Sequence, residues 1–158
     1  AASWLPGRRV EVKWPNDIWI ERRKCAGILV ESRMLGTKIE AVIIGVGLNV
    51  NRTEWPAELQ GIATSLKAER DGGGSLDRGE VLATLLEHVE RWVKRFVRLG
   101  APTLVNALRP HLSLLGERVR WEEGRGIFEG IDESGAAKVR TDAGVVSLHA
   151  ARIEPDPE

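Results

Sequence analysis

Between Val10 and Val50 the apolar runs are joined by connections too short to hold a crossover helix, so neighbouring strands there must run antiparallel. Val10, Val12 and Trp14 alternate with Arg9, Glu11 and Lys13, the pattern of a half-buried strand. Pro15-Asn16-Asp17 supplies turn chemistry, since proline fixes φ and Asn or Asp bonds back to nearby backbone. Ile18-Trp19-Ile20 restarts a short strand, and Glu21-Arg22-Arg23-Lys24 reads as a charged connection. Cys25 to Glu31 and Ile39 to Val50 are two further predicted strands, joined through Gly36.

Beyond the strands, Glu58 to Gly74 is turn-rich and ends in the flexible Asp71-Gly72-Gly73-Gly74. A strong helix follows, with Asp77 as N-cap and Glu80 three residues later, a variant of the capping box. Val81, Leu82, Leu85, Leu86, Val89, Val93, Phe96 and Val97 recur at helical spacing, a stripe expected to cover the sheet. Gly100 ends this helix and Pro102 opens a shorter one. From Gly116 the texture changes to short strands at Arg118–Trp121, Ile127–Ile131, Lys138–Thr141 and Val145–Leu148, punctuated by glycine-bearing turns. That spacing suits a small barrel of SH3-like size, and its roughly 43 residues are near the lower limit for standing alone. The expected class is α+β, with one domain over residues 1–113 and a second over 114–158.

The composition, 42% apolar and 29% charged, is that of a soluble globular protein. A formal net charge of +0 gives no electrostatic reason to expect nucleic acid or an anionic membrane as partner. No apolar run approaches a membrane span, and the opening Ala1-Ala2-Ser3-Trp4-Leu5-Pro6-Gly7 lacks the pattern of a secretory leader, so a cytoplasmic location is expected. With Cys25 as the single cysteine and three scattered histidines, an internal disulfide is excluded and no metal site is expected.

Three segments stand out as candidates for chemistry. Gly45, Gly47 and Asn49 are two apart, so in a strand they share a face that two glycines strip of side chains. A flat ligand can lie against such backbone, with Asn49 offering a donor and acceptors; a strand bend or close backbone approach is the structural alternative. Lys24 is a compact cation suited to a phosphate or carboxylate, or else a solvated turn lysine beside Arg22 and Arg23. Period-two counting groups it with Ala26 and Ile28, not with Gly27, so spacing does not aim it at the glycine face. Asn16 and Asp17 stand by default as turn residues, Trp14 and Trp19 as core, Cys25 as a small hydrophobe, and His88, His111 and His149 as unrelated singles.

Taken together, Lys13-Trp14-Pro15-Asn16-Asp17, Arg23-Lys24-Cys25-Ala26-Gly27-Ile28-Leu29-Val30-Glu31, Gly45-Val46-Gly47-Leu48-Asn49-Val50-Asn51 and Ala63-Thr64-Ser65-Leu66 resemble, in this order, the motifs of biotin protein ligases. The capped helix and the glycine-punctuated C-terminal strands fit the same family, over nearly the whole chain. The resemblance implies a catalytic domain related to class II aminoacyl-tRNA synthetases, followed by an SH3-like domain. It implies two half-reactions: biotin carboxylate attacks the α-phosphate of ATP with Mg2+, giving biotinyl-5′-AMP and pyrophosphate, and a carrier-protein lysine then takes the biotinyl group as AMP leaves.

By the same resemblance Lys24 is the cation between carboxylate and phosphate, Gly27, Gly45 and Gly47 form a backbone floor under biotin and adenylate, and Asn49 contacts the nucleotide while Asn16 helps shape its site. Asp17 is assigned to orienting or assisting the acceptor amine. The implied partner is the biotin carboxyl carrier protein domain of acetyl-CoA carboxylase, and a homodimer is left open. Family members also carry an upstream glycine- and arginine-rich loop that closes over biotin and phosphate, and a Ser/Thr-rich segment that contacts biotin. Neither is in this sequence, so the chain alone is expected to be weakly active or inactive. Two other readings stand beside the ligase: a noncatalytic fragment that complements a separate N-terminal chain, and a relative that ligates lipoate.

Overall fold

The computed structural model describes residues 5–157, and the opening Ala1–Trp4 stretch, read above for a leader, lies outside them. The described chain forms two compact units, one of residues 5–10 and 16–76 and the other of residues 11–15 and 77–157. The sequence boundary near residue 113 therefore falls inside the second unit.

In the first unit, β2 (Asp17–Ile20), β3 (Arg23–Leu35) and β4 (Lys38–Leu48) follow one another as antiparallel neighbours, as the short connections require. The connection after β2 is tighter than the sequence suggested. Glu21 and Arg22 alone make the turn, both with positive φ (47° and 66°), and Arg23 and Lys24 already belong to β3. Two successive left-handed residues give the turn that matches strand twist, here without glycine. The Glu21 carboxylate accepts from the Arg9 backbone N–H at 2.9 Å. β3 runs well past the predicted Cys25–Glu31 at both ends, whereas β4 stops at Leu48, short of the predicted Val50, so Asn49 lies just beyond the strand. The two strands meet at a turn through Gly36 (φ 61°). After a 3-10 turn at Ala57–Leu59 comes the short helix α1 (Leu66–Glu69), capped by the Ser65 hydroxyl, which accepts from the Ala68 N–H at 3.1 Å.

The second unit contains most of β1 (Val10–Lys13), the helices α2 (Arg78–Leu99) and α3 (Ala101–Leu108), and five further strands. Asp77 caps α2 as expected, accepting from the Glu80 N–H at 3.0 Å, and Gly100 (φ 78°) ends it. Along α2, Val81 is the one buried residue, while Leu82, Leu86, Val93, Phe96 and Val97 stay exposed. No helix among the described residues is long and apolar enough to cross a membrane.

β5 (Arg118–Trp121), β6 (Gly124–Ile131), β7 (Ala137–Thr141), β8 (Gly144–Leu148) and β9 (Glu154–Pro155) form an antiparallel sheet in the order β8-β7-β6-β5-β9. Four of these are the strands predicted; β9 was not. Val119, Phe128, Ala137, Val139 and Ile153 are fully buried here. Gly126 is required by this packing, because a Cβ at its position would lie 2.4 Å from the Arg140 carbonyl oxygen. The Lys13-Trp14-Pro15 segment ties into the same unit. Lys13, 4% exposed, pairs with Glu154 at 2.7 Å, and the Trp14 indole donates to the Gly135 carbonyl at 2.9 Å. The Trp14–Pro15 peptide is cis.

Candidate functional site

The geometry of the site turns on one extra residue. Asp17 pairs with Gly27 and Ile18 with Ala26, but Trp19 pairs with Lys24, so Cys25 is a bulge residue on β3. Without the bulge, Lys24 and Gly27, three apart, would point to opposite faces. With it, Lys24 joins Asp17 and Gly27 on one face. The side chains agree: the Lys24 Nζ lies 2.6 Å from the Asp17 carboxylate, and a Cβ on Gly27 would sit 3.4 Å from that Nζ. Lys24 is thus neither a turn lysine nor a member of the Ala26–Ile28 face.

The register carries the same face across to β4. Gly27 is opposite Gly47, and Leu29 is opposite Gly45. Leu29 is exposed, so the surface beside the glycines is open as well as low. None of Gly27, Gly45 and Gly47 has positive φ. A Cβ would meet only the Leu29 carbonyl and Cβ, at 3.6 and 4.0 Å, from Gly45, and the Gly27 carbonyl at 3.9 Å from Gly47, ordinary contact distances. Neither strain nor close backbone approach therefore explains two glycines here, unlike Gly126. What they leave is bare sheet beside an ammonium–carboxylate pair.

Asn16 and Asn49 flank this face in a different manner. The Asn16 carbonyl accepts from the Ile28 N–H at 2.9 Å, and its carboxamide donates to the Ile28 carbonyl at 2.8 Å, which continues the β2–β3 pairing past Asp17. The Asn49 N–H donates to the Cys25 carbonyl at 2.9 Å, and its Nδ2 donates to the Thr64 carbonyl at 3.1 Å. Both side chains are engaged with backbone, so each holds the floor as well as bordering it.

Behind the bulge lies a buried polar group that sequence reading did not single out. Thr64, Ser65 and Glu69 are all buried, and the Glu69 carboxylate accepts from Arg23 Nη2 at 2.5 Å and from the Thr64 hydroxyl. Lys67-Ala68-Glu69-Arg70 looks like any solvated stretch, and only the preceding Ala63-Thr64-Ser65-Leu66 motif hinted at structure. Cys25 is fully buried beside this group; burial first and the Glu69 charge second push its thiol up to about 12. It packs as the small hydrophobe expected, its Sγ 3.6 Å from the Asn49 carbonyl. Among the described residues, no three His, Cys, Asp or Glu side chains gather in a metal-binding group.

The sequence matches the biotin/lipoate A/B protein ligase family over residues 4–49 and the biotin protein ligase C-terminal domain over residues 114–154. The chain belongs to the biotin protein ligase family. It is 34% identical to the biotin–[acetyl-CoA-carboxylase] ligase of Paracoccus denitrificans, over 94% of this chain and 64% of that one. It is 32% identical to the bifunctional ligase/repressor BirA of Bacillus subtilis, over 94% of this chain and 47% of that one. Among solved structures, the Aquifex aeolicus biotin protein ligase in complex with biotin and ATP superposes with a TM-score of 0.80 at 29% identity, covering 93% of this chain and 62% of the other. The chain thus spans roughly half to two-thirds of the relatives it matches.

Proposed function

We propose that this chain supplies one wall of the adenylate-forming site of a biotin protein ligase, which makes biotinyl-5′-AMP from biotin and ATP and passes biotin to a lysine of a biotin carboxyl carrier protein. The observation that carries the reading is the bare Gly27–Gly45–Gly47 face beside Lys24, glycines that the fold does not itself require. In adenylation a carboxylate oxygen bonds to the α-phosphorus while the bond to pyrophosphate breaks, bringing two anions together. A fixed ammonium among them stabilises the charge that develops in the transition state, worth roughly 3 kcal/mol or about a hundredfold in rate.

Lys24 is that ammonium, held by Asp17 until a more highly charged ligand draws it away. In the second step the acceptor amine bonds to the biotinyl carbon, the bond to AMP breaks, and a proton must leave the amine. Asp17, released from Lys24, is placed to take or orient that proton. Gly27, Gly45 and Gly47 are the floor, and Asn16 and Asn49 fix its two margins and border the nucleotide. Among the described residues no three His, Cys, Asp or Glu side chains gather to hold the magnesium that accompanies ATP.

The reading extends to the finer architecture: a catalytic domain of class II synthetase type over 1–113 and an SH3-like barrel over 114–158. It also extends to the carrier domain of acetyl-CoA carboxylase as acceptor and the cytoplasm as the place of reaction. Incubated with biotin, ATP, magnesium and a carrier domain, the isolated chain should label the carrier weakly or not at all. Fused behind the part of the Paracoccus ligase that it does not cover, it should label the carrier fully. A folded fusion that leaves the carrier unlabelled would overturn the reading. Titration with biotin and with lipoate separates the two ligands, and the match to the biotin protein ligase C-terminal domain favours biotin.

One observation favours the second reading, a fragment that complements a separate chain. Leu29, Val30, Met34, Leu35, Ile39, Val42, Ile43 and Ile44 on the β3–β4 hairpin are all exposed, more apolar surface than a finished sheet leaves in water. Co-purification with a polypeptide bearing the glycine- and arginine-rich loop would support it.

A further inference from the structure

We infer that Glu69 is the positioning residue that sets Lys24 against Gly27 and Asp17, acting through Arg23 and Thr64; the inference rests on the reading of Lys24 as the cation of the site. Both main-chain groups of Lys24 are bonded to one segment: its N–H donates to the Ile62 carbonyl and its carbonyl accepts from the Thr64 N–H, each at 2.8 Å. Glu69 grips this arrangement from two sides. Its Oε1 accepts from the guanidinium of Arg23, the residue before Lys24, and from the hydroxyl of Thr64. Asn49 closes the opposite side of the bulge through the Cys25 and Thr64 carbonyls.

A carboxylate with 2% exposure is an expensive group to bury, and an apolar residue of similar volume often gives equal or greater stability. What a carboxylate adds is direction, because charge-assisted hydrogen bonds are short and geometrically restrictive. Direction is what this place needs. A bulge gives a strand one residue of slack, and resolving that slack one position differently would turn Lys24 to the other face. Glu69 holds Arg23 and the 62–64 segment in one relation and so fixes where the extra residue falls. It touches no part of the glycine face itself; its effect reaches the site only through Lys24.

Nuclear Overhauser contacts in the full chain test this directly. Lys24 Cε lies 3.5 Å from the position a Gly27 Cβ would occupy, so wild-type spectra should show a contact between the Lys24 ε-methylene and the Gly27 α-protons. Glu69→Gln keeps size and an acceptor but removes the charge, and should abolish that contact while the Ile28–Val46 cross-strand contacts of the same ladder remain. Thr64→Val should do the same, and Thr64→Ser, which restores the hydroxyl, should bring the contact back. A wild-type Lys24–Gly27 contact in both Glu69→Gln and Thr64→Val would overturn the inference. So would loss of the Ile28–Val46 contacts together with it, which would make Glu69 a residue of the sheet at large. Absence of the Lys24–Gly27 contact from the wild-type chain would overturn the site reading itself, and this inference with it.

Discussion

The β2–β4 sheet and the β5–β9 sheet are both antiparallel, hairpin-built and interrupted by a register shift, yet what they bury differs in its polar share. The C-terminal sheet encloses Val119, Phe128, Ala137, Val139 and Ile153, and its Arg140–Glu129 pair lies outside. The site sheet encloses Thr64, Ser65 and Glu69 beside Ile20, Cys25 and Ala26, while Leu35 is 72% exposed and Ile39 63%. In the first, apolar burial drives the fold, and the Lys13–Glu154 pair lies at the edge strand β9. In the second, interior polar bonds decide where Lys24 points. A glycine has opposite meanings in the two sheets: Gly126 is there because the protein's own backbone leaves no room, Gly45 and Gly47 although it does.

The contrast can be broken first at its apolar end. Phe128→Ala should destabilise the second unit by about 3–5 kcal/mol, the cost of truncating a fully buried aromatic, read by urea denaturation. A loss below about 1 kcal/mol would show that this core is not what holds the C-terminal sheet. Lys24→Ala carries the converse expectation. In a complete ligase it should lower biotinyl-adenylate formation by roughly a hundredfold or more while changing stability by less than about 1 kcal/mol, since its partner Asp17 is a single, partly exposed contact. Near-normal adenylation would remove Lys24 from the site.

Gly47→Ala sharpens the glycine comparison. The strand should be unchanged or stabilised by up to about 1 kcal/mol, because alanine is less costly to order than glycine, while biotin or nucleotide affinity falls. Equal affinity in the two proteins would mean that nothing lies on that face.

Smaller effects concern titration. Cys25, neutral through the physiological range, should react with iodoacetamide far more slowly than a peptide thiol at pH 8, accelerating to the peptide rate only in denaturant. Burial raises the Glu154 carboxyl, but the hydrogen bonds from Lys13 and Arg152, with their charges, outweigh it and leave the group below its ordinary value. Its folded value being the lower, Glu154 contributes stability that is present at neutral pH and lost as pH falls through the carboxylate range. Glu154→Gln should therefore lower stability at pH 7 and flatten the acid limb of the denaturation profile.

Local patterns made much of this legible. Alternation found the strands, Asp77 with Glu80 placed the start of α2, and glycine punctuation found β5, β7 and β8 within a residue, while Gly124 to Gly126, read as a turn, opens β6 instead. What escaped depends on residues distant in sequence. β9 is two residues long and exists through its pairing with Val119 and Arg120. Glu69 is buried because Arg23, 46 positions earlier, comes to meet it. The direction of Lys24 was out of reach for a sharper reason: period-two counting assumes an unbroken strand, and the break at Cys25 appears only once β2 is laid alongside.

That odd residue also gives the gene an unusual point of tolerance. Losing the Cys25 codon would put Lys24 two residues from Gly27, still opposite Trp19 and still on the glycine face of a now unbroken strand. Every pair from Gly27–Gly47 to Leu35–Lys38 would remain available. A substitution here can be graded by size and charge, but a deletion would be read as parity, and at this one position the parity keeps the cation where it is.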